Sequence, residues 1–339
     1  MAKILFGIAT FFLGVIILGI VVAIIGADKI LEVFFEFSPW GLIPLILLTF
    51  IGNLISVIKW RYILLVRGFK VGIIAMFKVW LIGYALGYIT PVVYIGGELF
   101  RGFILKEKYA VPWRASLASI VIDKISESVV WISIIFVGAI MFLTQPEASD
   151  FSKIISASIL GMLFLVAAVM LIYVFIMRRT RIIYKFILKP LRLEKAKGLN
   201  LVYEVEKDFL DFFTARNRRH LIWVFNVSIV KYIILWLRNV FLIYYLIGMF
   251  SPGGGIMALG FLYFSYTLPI PAALGAQEAI LSAVFSGVGL DASLGAVFSF
   301  LLRAAELLMV GFGIYYLMRW GFSKASLKLL KLLKKYAYI

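Results

Sequence analysis

The sequence predicts an all-α fold: a polytopic helical bundle in a membrane, with about six full spans and two broken re-entrant hairpins entering from opposite faces. Three observations carry this. The 339 residues are 64% hydrophobic, with a mean hydropathy of +1.06. That is more apolar side chain than a soluble core can use, and it falls in runs long enough to cross a bilayer. The net charge of +17 is concentrated in alternate loops, which is the positive-inside signature of membrane topology rather than the footprint of a nucleic-acid surface. Finally, two stretches interrupt the apolar runs with proline, glycine and charge, and polar broken backbone at membrane depth is tolerated only where protein or a water-filled cavity surrounds it.

Ile4–Ile25 is an unbroken apolar run and reads as the first span. It is too long for a signal-peptide core, although Gly26-Ala27 offers a weak cleavage site. The loop after it carries Asp28, Lys29, Glu32 and Glu36, is net acidic, and is expected outside. Pro39 and Trp40 begin a second span ending near Lys59 and Arg61; these two, with Arg67, Lys70 and Lys78, mark the cytoplasmic side. From Val71 the chain re-enters, stops at Pro91, and returns over Tyr94–Leu105 to the basic Lys106, Lys108 and Arg114. Both ends of that excursion are basic, and its second arm is too short and too polar for an ordinary span, so it reads as a re-entrant hairpin.

Ala115–Leu143 makes a full crossing that carries Asp123, Lys124 and Glu127. Ile154–Met177 returns to Arg178, Arg179 and Arg181. Residues 178–220 form a cytoplasmic loop. Within it Leu201, Val205, Phe209 and Phe213 recur every four residues, an amphipathic helix on the membrane or across the bundle mouth, with Asp208 and Asp211 on its solvated face. The single histidine, His220, adjoins Arg218 and Arg219 and reads as a solvated loop residue. Leu221–Met249 crosses outward with Lys231 and Arg238. Ile256–Leu268 enters from outside and meets a second break at Pro269, Pro271 and Gly275, after which Glu278 lies in the resumed helix. Ala292–Met318 crosses inward with Arg303 and Glu306. Residues 1–320 are thus expected to form the transmembrane domain in the cell membrane, and residues 321–339 a basic amphipathic cytoplasmic tail, with both termini on the cytoplasmic side.

The first break, Thr90–Arg101, organises the rest. Pro91 removes a backbone donor and disfavours helix at Thr90, and Gly96-Gly97 free the backbone. Glu98 and Arg101, three apart, share a face of the helix that resumes. Arg303 and Glu306 repeat the spacing with the signs reversed. Seven buried charges, Glu98, Arg101, Asp123, Glu127, Glu278, Arg303 and Glu306, would together cost on the order of 20 kcal/mol unpaired. They must pair or face water. As plain salt bridges they would stabilise little. Arranged around a cavity, the arginines suit a phosphate through their bidentate fork; Glu98, Asp123, Lys124, Glu127, Arg238, Glu278 and Glu306 would complete the lining. Two Pro/Gly-interrupted segments in corresponding positions of two halves point to a transporter-like site at the midplane.

There is no cysteine, which excludes disulfides, thiolate metal sites and cysteine nucleophiles. No cofactor and no metal are expected. Gly253-Gly254-Gly255 is not followed by Lys-Ser or Lys-Thr and is no phosphate loop.

The two broken segments resemble the transmembrane region of the lysylphosphatidylglycerol synthases, a flippase-like integral membrane family. The resemblance rests on Pro91, Gly97, Glu98 and Arg101, on the break running from Pro269 through Pro271 and Gly275 to Glu278, and on the last span with Arg303. Two features depart from the family pattern. Ala272-Ala273 stand where glycine is usual, and the charged helix reads Asp123-Lys124 then Glu127, with the acid types exchanged. The resemblance implies movement of a phosphate-headgroup lipid (an aminoacyl-phospholipid, a glycolipid or a polyprenyl-phosphate-linked lipid) between leaflets, without the soluble aminoacyl-transferase domain and so without enzymatic activity. Two other readings compete: a membrane enzyme using the buried carboxylates as acid and base on a lipid phosphate, and a scaffold for a lipid-modifying partner. The expected partners are membrane lipids and no nucleic acid; a homo-oligomer and a lipid-modifying enzyme partner stay open.

Overall fold

The computed structural model describes residues 2–90, 96–150, 153–154, 156–158, 160–161, 205, 208, 212 and 217–321. Among the described residues there are ten α-helices and no strand. They are α1 (Ala2–Ile25), α2 (Ala27–Glu36), α3 (Leu42–Val66), α4 (Ile73–Ile89), α5 (Gly96–Tyr109), α6 (Trp113–Leu143), α7 (Arg218–Ile247), α8 (Pro252–Ser265), α9 (Ala276–Gly287) and α10 (Ala292–Trp320). The all-helical membrane bundle read from the sequence is the fold. Four helices (α3 with its preceding turn, α6, α7 and α10) are long and apolar enough to cross a bilayer, and α1 with α2 makes a fifth if the bent pair is one span. The expected span over Ile154–Met177, the amphipathic loop 178–220, Pro91 and the tail 321–339 fall wholly or largely outside the described residues.

The stretch after Ile25 differs from the expected acidic loop: it is helix α2, set at 84° to the end of α1. Gly26, at φ 94°, makes the corner. Charge counting marked the side of the membrane here, but Ile30, Val33 and Phe37 lie on one helical face and join the core beneath α10 while the four charged residues stay exposed. The outer surfaces of the long helices are apolar. Ile43 and Leu47 on α3, and Leu308 and Phe312 on α10, are well exposed, as suits a lipid-facing surface.

The two halves repeat one plan. In each, an apolar arm (α4, α8) leads to a break, a short returning arm (α5, α9) and a long span (α6, α10). The arms are exchanged: α4 packs on α10 and α8 packs on α6. Small residues allow these approaches. A Cβ on Gly313 of α10 would sit 2.3 Å from the Leu81 carbonyl oxygen of α4, and one on Gly260 of α8 would sit 3.0 Å from the Ile134 oxygen of α6. Within the first hairpin the contact is backbone on backbone: a Cβ on Gly97 would fall 1.8 Å from the Gly83 oxygen.

Helix α10 shows that the hairpins enter from opposite ends. Phe100 and Phe103 of α5 lie against Trp320, and Lys78 of α4 lies over Tyr316. Tyr88, at the far end of α4, reaches Arg303. The other hairpin starts from the opposite end: Leu281 and Ser282 of α9 press on Gly295, while Ala272 at its tip also reaches Arg303. The far end of α4 and the tip of the second hairpin therefore meet midway along α10.

The second tip is a short 3₁₀ turn, Pro271–Ala273, in which Ala272 (φ 53°) and Ala273 (φ 48°) are left-handed and are followed by Gly275 at φ 75°. Each left-handed alanine costs on the order of 1 kcal/mol. The alanines noted as departures from a glycine-rich pattern thus adopt the backbone that glycine would take. Gly275 has a second constraint, since a Cβ there would lie 2.3 Å from the Gly14 oxygen of α1.

Candidate functional site

Three groups of buried charge lie where α3, α5, α6, α7, α9 and α10 converge. The first centres on Glu127. Asp123 and Glu127, one helical turn apart on α6, both receive Lys59 of α3, at 3.0 and 3.2 Å, and Glu127 also receives Lys231 of α7 at 2.7 Å. Ser126 and Ser228 stand 3.4 and 3.1 Å from the Lys59 ammonium. Lys59 thus overturns its expected place as a marker of the cytoplasmic boundary: it is fully buried. The sequence did carry the signal. Helix α3 continues for seven apolar-rich residues beyond Lys59, to Val66, and a boundary lysine would have stood at its end.

The second group centres on Glu98, which holds Arg101 at 2.6 Å and Lys124 at 2.9 Å. Arg101 Nη2 is 4.0 Å from Asp123, and the guanidinium lies 4.2 Å over the Trp60 ring. Its stem fills the space above Gly83. Its Nε and Nη2 have no hydrogen-bond acceptor among the described residues.

In the third group, Arg303 donates to Glu278 at 2.6 and 2.9 Å, to the Ala272 carbonyl at 2.8 Å, to the Tyr88 hydroxyl at 3.2 Å and to Gln277 at 3.4 Å. One guanidinium therefore ties the returning arm of the second hairpin to that hairpin's tip and to the far end of α4. Arg303 and Glu306, spaced like Glu98 and Arg101, do not pair with each other. Glu306 instead accepts from the Tyr266 hydroxyl at 2.6 Å, and its other oxygen has no partner among the described residues.

Arg238 of α7 stands apart. It is 3% exposed, and its nearest acceptors are the neighbouring Asn239 side chain and Thr49, both at 3.4 Å. Among the described residues no carboxylate lies within 4.0 Å of it, whereas the other buried cations all have one. Six embedded cations (Lys59, Arg101, Lys124, Lys231, Arg238, Arg303) face five carboxylates (Glu98, Asp123, Glu127, Glu278, Glu306), and Arg238 is the cation left over.

A cavity of about 100 Å³, partly open to solvent, lies between these groups. Arg101, Lys124, Lys231 and Arg238 line it with Glu98, Glu127 and Glu306, and both hairpins contribute, through Tyr88 and Ala272. Glu278, Arg303 and Asp123 do not line it; they stand behind the wall and hold it. Thr49 and Asn53 of α3 and Tyr266 also face the cavity; no pattern in the sequence marks them, because an isolated hydroxyl or amide in an apolar run has no distinguishing spacing. Of the broken-helix residues, Gly96 and Gly97 open α5, and Pro269, Pro271 and Gly275 frame the second tip. Among the described residues no group of three His, Asp or Glu could hold a metal ion.

Two expectations at the basic end are corrected. His220 lies in the first turn of α7, not in a solvated loop, and its Nδ1 is 2.7 Å from the Tyr62 hydroxyl. Asp208 is not simply on a solvated face: it bridges Arg67, which ends α3, and Arg114, in the first turn of α6.

Fold and site together define a polytopic helical membrane protein with two opposed broken hairpins closing on a charged internal cavity. The chain belongs to the lysylphosphatidylglycerol synthase TM region family, which it matches over residues 4–313. It is also similar to the UPF0104 membrane protein MJ1595 of Methanocaldococcus jannaschii, at 25% identity over 112 residues. That match spans 33% of this chain and 33% of the relative, so it covers about a third of the relative's length. No solved structure matches.

Proposed function

We propose that this protein moves a phosphate-headgroup lipid between the leaflets of the cell membrane, taking the headgroup into the central cavity while the acyl chains stay in the bilayer. The observation that carries the reading is Arg238, a buried guanidinium without a carboxylate on the wall of a cavity closed by two broken helices. An unpaired charge at this depth costs several kcal/mol; a bound phosphate would offset that cost and engage the fork bidentately. The two free N–H groups of Arg101 and the amide of Asn53, which also lacks a partner, add donors on the same cavity. Beside the charged groups, Trp80, Tyr84 and Tyr263 also line the cavity. That mixture suits a headgroup carrying apolar chains.

In this reading Arg303 and Glu278 set the wall, Arg238 and Arg101 attract the phosphate, and Glu98, Lys124 and Glu127 hold the field around it. The protein moves lipid without altering it, and needs no cofactor. Its termini lie on the cytoplasmic side, with the acidic segment around Asp28 and the turn at Gly254 outside. Membrane lipids are its partners, and a lipid-modifying enzyme would supply or consume the headgroup.

The test is transbilayer movement in liposomes containing the purified full chain and a labelled phospholipid, followed by the fraction of headgroup accessible from outside. Arg238→Ala should slow movement at least about tenfold, the equivalent of 1.4 kcal/mol of lost attraction, in protein that remains folded. Arg238→Lys should recover part of the rate, since a point charge replaces only part of the fork. Equal rates for wild type and Arg238→Ala would remove the assignment.

A further inference from the structure

Arg238 shares its cavity with an acid whose hydrogen bonding is also incomplete. Glu306 is buried, accepts from Tyr266 through one oxygen, and has its second oxygen unpartnered. No cation among the described residues lies within salt-bridge distance of it. The charges acting on it are Arg238, Arg303 and Glu278. Of these, Arg303 is already committed to Glu278, Ala272 and Tyr88, so Arg238 is the one uncommitted charge facing Glu306.

The other elements packed against α10 add little. Helix α3 presents Thr49 and Asn53, which are uncharged; its Lys59 is held by Asp123 and Glu127. Helices α4 and α8 present the Tyr88 and Tyr263 hydroxyls. The four charged residues of α2 are exposed, and so is Lys78 of α4.

We infer that Glu306 couples anion binding at Arg238 to the uptake of one proton, so that the cavity carries an anionic headgroup together with H⁺. Arginine does not lose its proton under these conditions, so the two groups have two low-energy arrangements. When Glu306 is ionised, its negative charge compensates Arg238 across the cavity, and a second anion gains little there. When the free oxygen of Glu306 takes a proton from water, forming a carboxyl O–H, the guanidinium charge is left uncompensated and attracts an anion. Anion and proton thus favour the same state, and linkage makes the effect reciprocal. On release at the other face, the O–H bond breaks, the proton returns to water and Glu306 again neutralises Arg238. No nucleotide is consumed, and a proton gradient can drive a singly charged headgroup without net movement of charge. The identity of the anion as a lipid phosphate rests on the function proposed above; the coupling needs only an anion at Arg238.

The test uses the full chain in nanodiscs, in weakly buffered solution with a pH-indicator dye. Two probes are compared: a short-chain phosphatidylglycerol, and dimethyl phosphate, which presents the same phosphodiester without chains. Neither probe titrates between pH 5 and pH 9, so any proton exchanged belongs to the protein. Wild type should take up about one proton per anion bound where Glu306 is ionised, and affinity should fall about tenfold per pH unit above the Glu306 transition. Glu306→Gln, fixed in the uncharged form, should bind with no proton uptake and no pH dependence, and Arg238→Ala should lose both binding and uptake. Lipid binding without proton uptake, or the same uptake in Glu306→Gln, overturns the coupling and leaves the lipid reading standing. Uptake with dimethyl phosphate but no response to the lipid overturns the lipid reading and upholds the coupling. Absence of binding by either probe overturns both.

Discussion

Two buried arginines of this molecule stand in opposite circumstances. Arg303 has Glu278, two other side chains and a carbonyl within hydrogen-bond reach. Arg238 has two acceptors, both at 3.4 Å and both uncharged. Residue type and burial are similar; the degree of satisfaction is not. A saturated guanidinium has no donors left for a ligand and acts as a tie between elements. An unsaturated one carries a desolvation cost that no salt bridge among the described residues offsets. The difference separates architecture from function more sharply than burial or charge alone.

The comparison breaks most visibly in stability. Arg303→Ala leaves Glu278 buried and unpaired, and frees the Ala272 carbonyl and the Tyr88 hydroxyl. The expected loss is about 3–5 kcal/mol, read as a lower unfolding midpoint in detergent. Glu278→Ala should cost a similar amount, by stranding Arg303. The paired replacement Arg303→Met with Glu278→Leu should recover much of the loss, since apolar substitutes for a buried ion pair are often neutral. Arg238→Ala, by contrast, should leave the midpoint unchanged or raise it. If Arg303→Ala folds as well as wild type while Arg238→Ala does not, the roles assigned to the two are reversed.

How much of this was legible in the sequence follows from what each signal depends on. Apolar run length and loop charge depend only on local composition, and they gave the all-helical membrane fold and both breaks. Proline and glycine act on their own backbone, so Pro269, Pro271 and Gly275 marked the second tip directly. Charges near the breaks were visible as buried because the runs around them are otherwise largely apolar. Their partners were not. Spacing suggested Arg303 with Glu306, but the partner of Arg303 is Glu278, 25 residues away, because side-chain choice depends on how α9 and α10 cross. Lys59 was misplaced because a lysine late in a span resembles an interfacial anchor until the helix is seen to continue. The arrangement that separates Arg238 from Arg303 is wholly tertiary.

A smaller effect is expected where the first hairpin closes on itself. At Gly97 a single methyl would overlap the Gly83 carbonyl of the facing arm, and backbone cannot give way as a flexible side-chain end can. Gly97→Ala should cost about 1–3 kcal/mol through overpacking. It should also shift Arg101, whose stem lies over Gly83. In the same protein, alanine at Gly311, where added volume meets nothing within 4 Å, should have no such effect. Equal unfolding midpoints for the two variants would mean that the arms of the hairpin are not closed as described.

The smallest effect lies outside the buried network and serves as its contrast. Asp291 caps α10, accepting from the Ser293 backbone N–H at 2.8 Å and the Ser293 hydroxyl at 2.6 Å. These hydrogen bonds hold its carboxyl below the usual carboxylate range. Because the folded value is the depressed one, the contribution is present above the unfolded pKa and is lost as pH falls through the folded one. Asp291→Ala should therefore cost about 0.5–2 kcal/mol at neutral pH and progressively less in acid, converging with wild type at the lowest pH. Asp291→Asn, which keeps the acceptor without the charge, should retain most of the stability and lose the pH dependence. Unfolding midpoints of the three proteins from pH 7 down to pH 3 would decide it. A constant gap between wild type and Asp291→Ala across that range would show that ionisation of Asp291 contributes nothing to the cap.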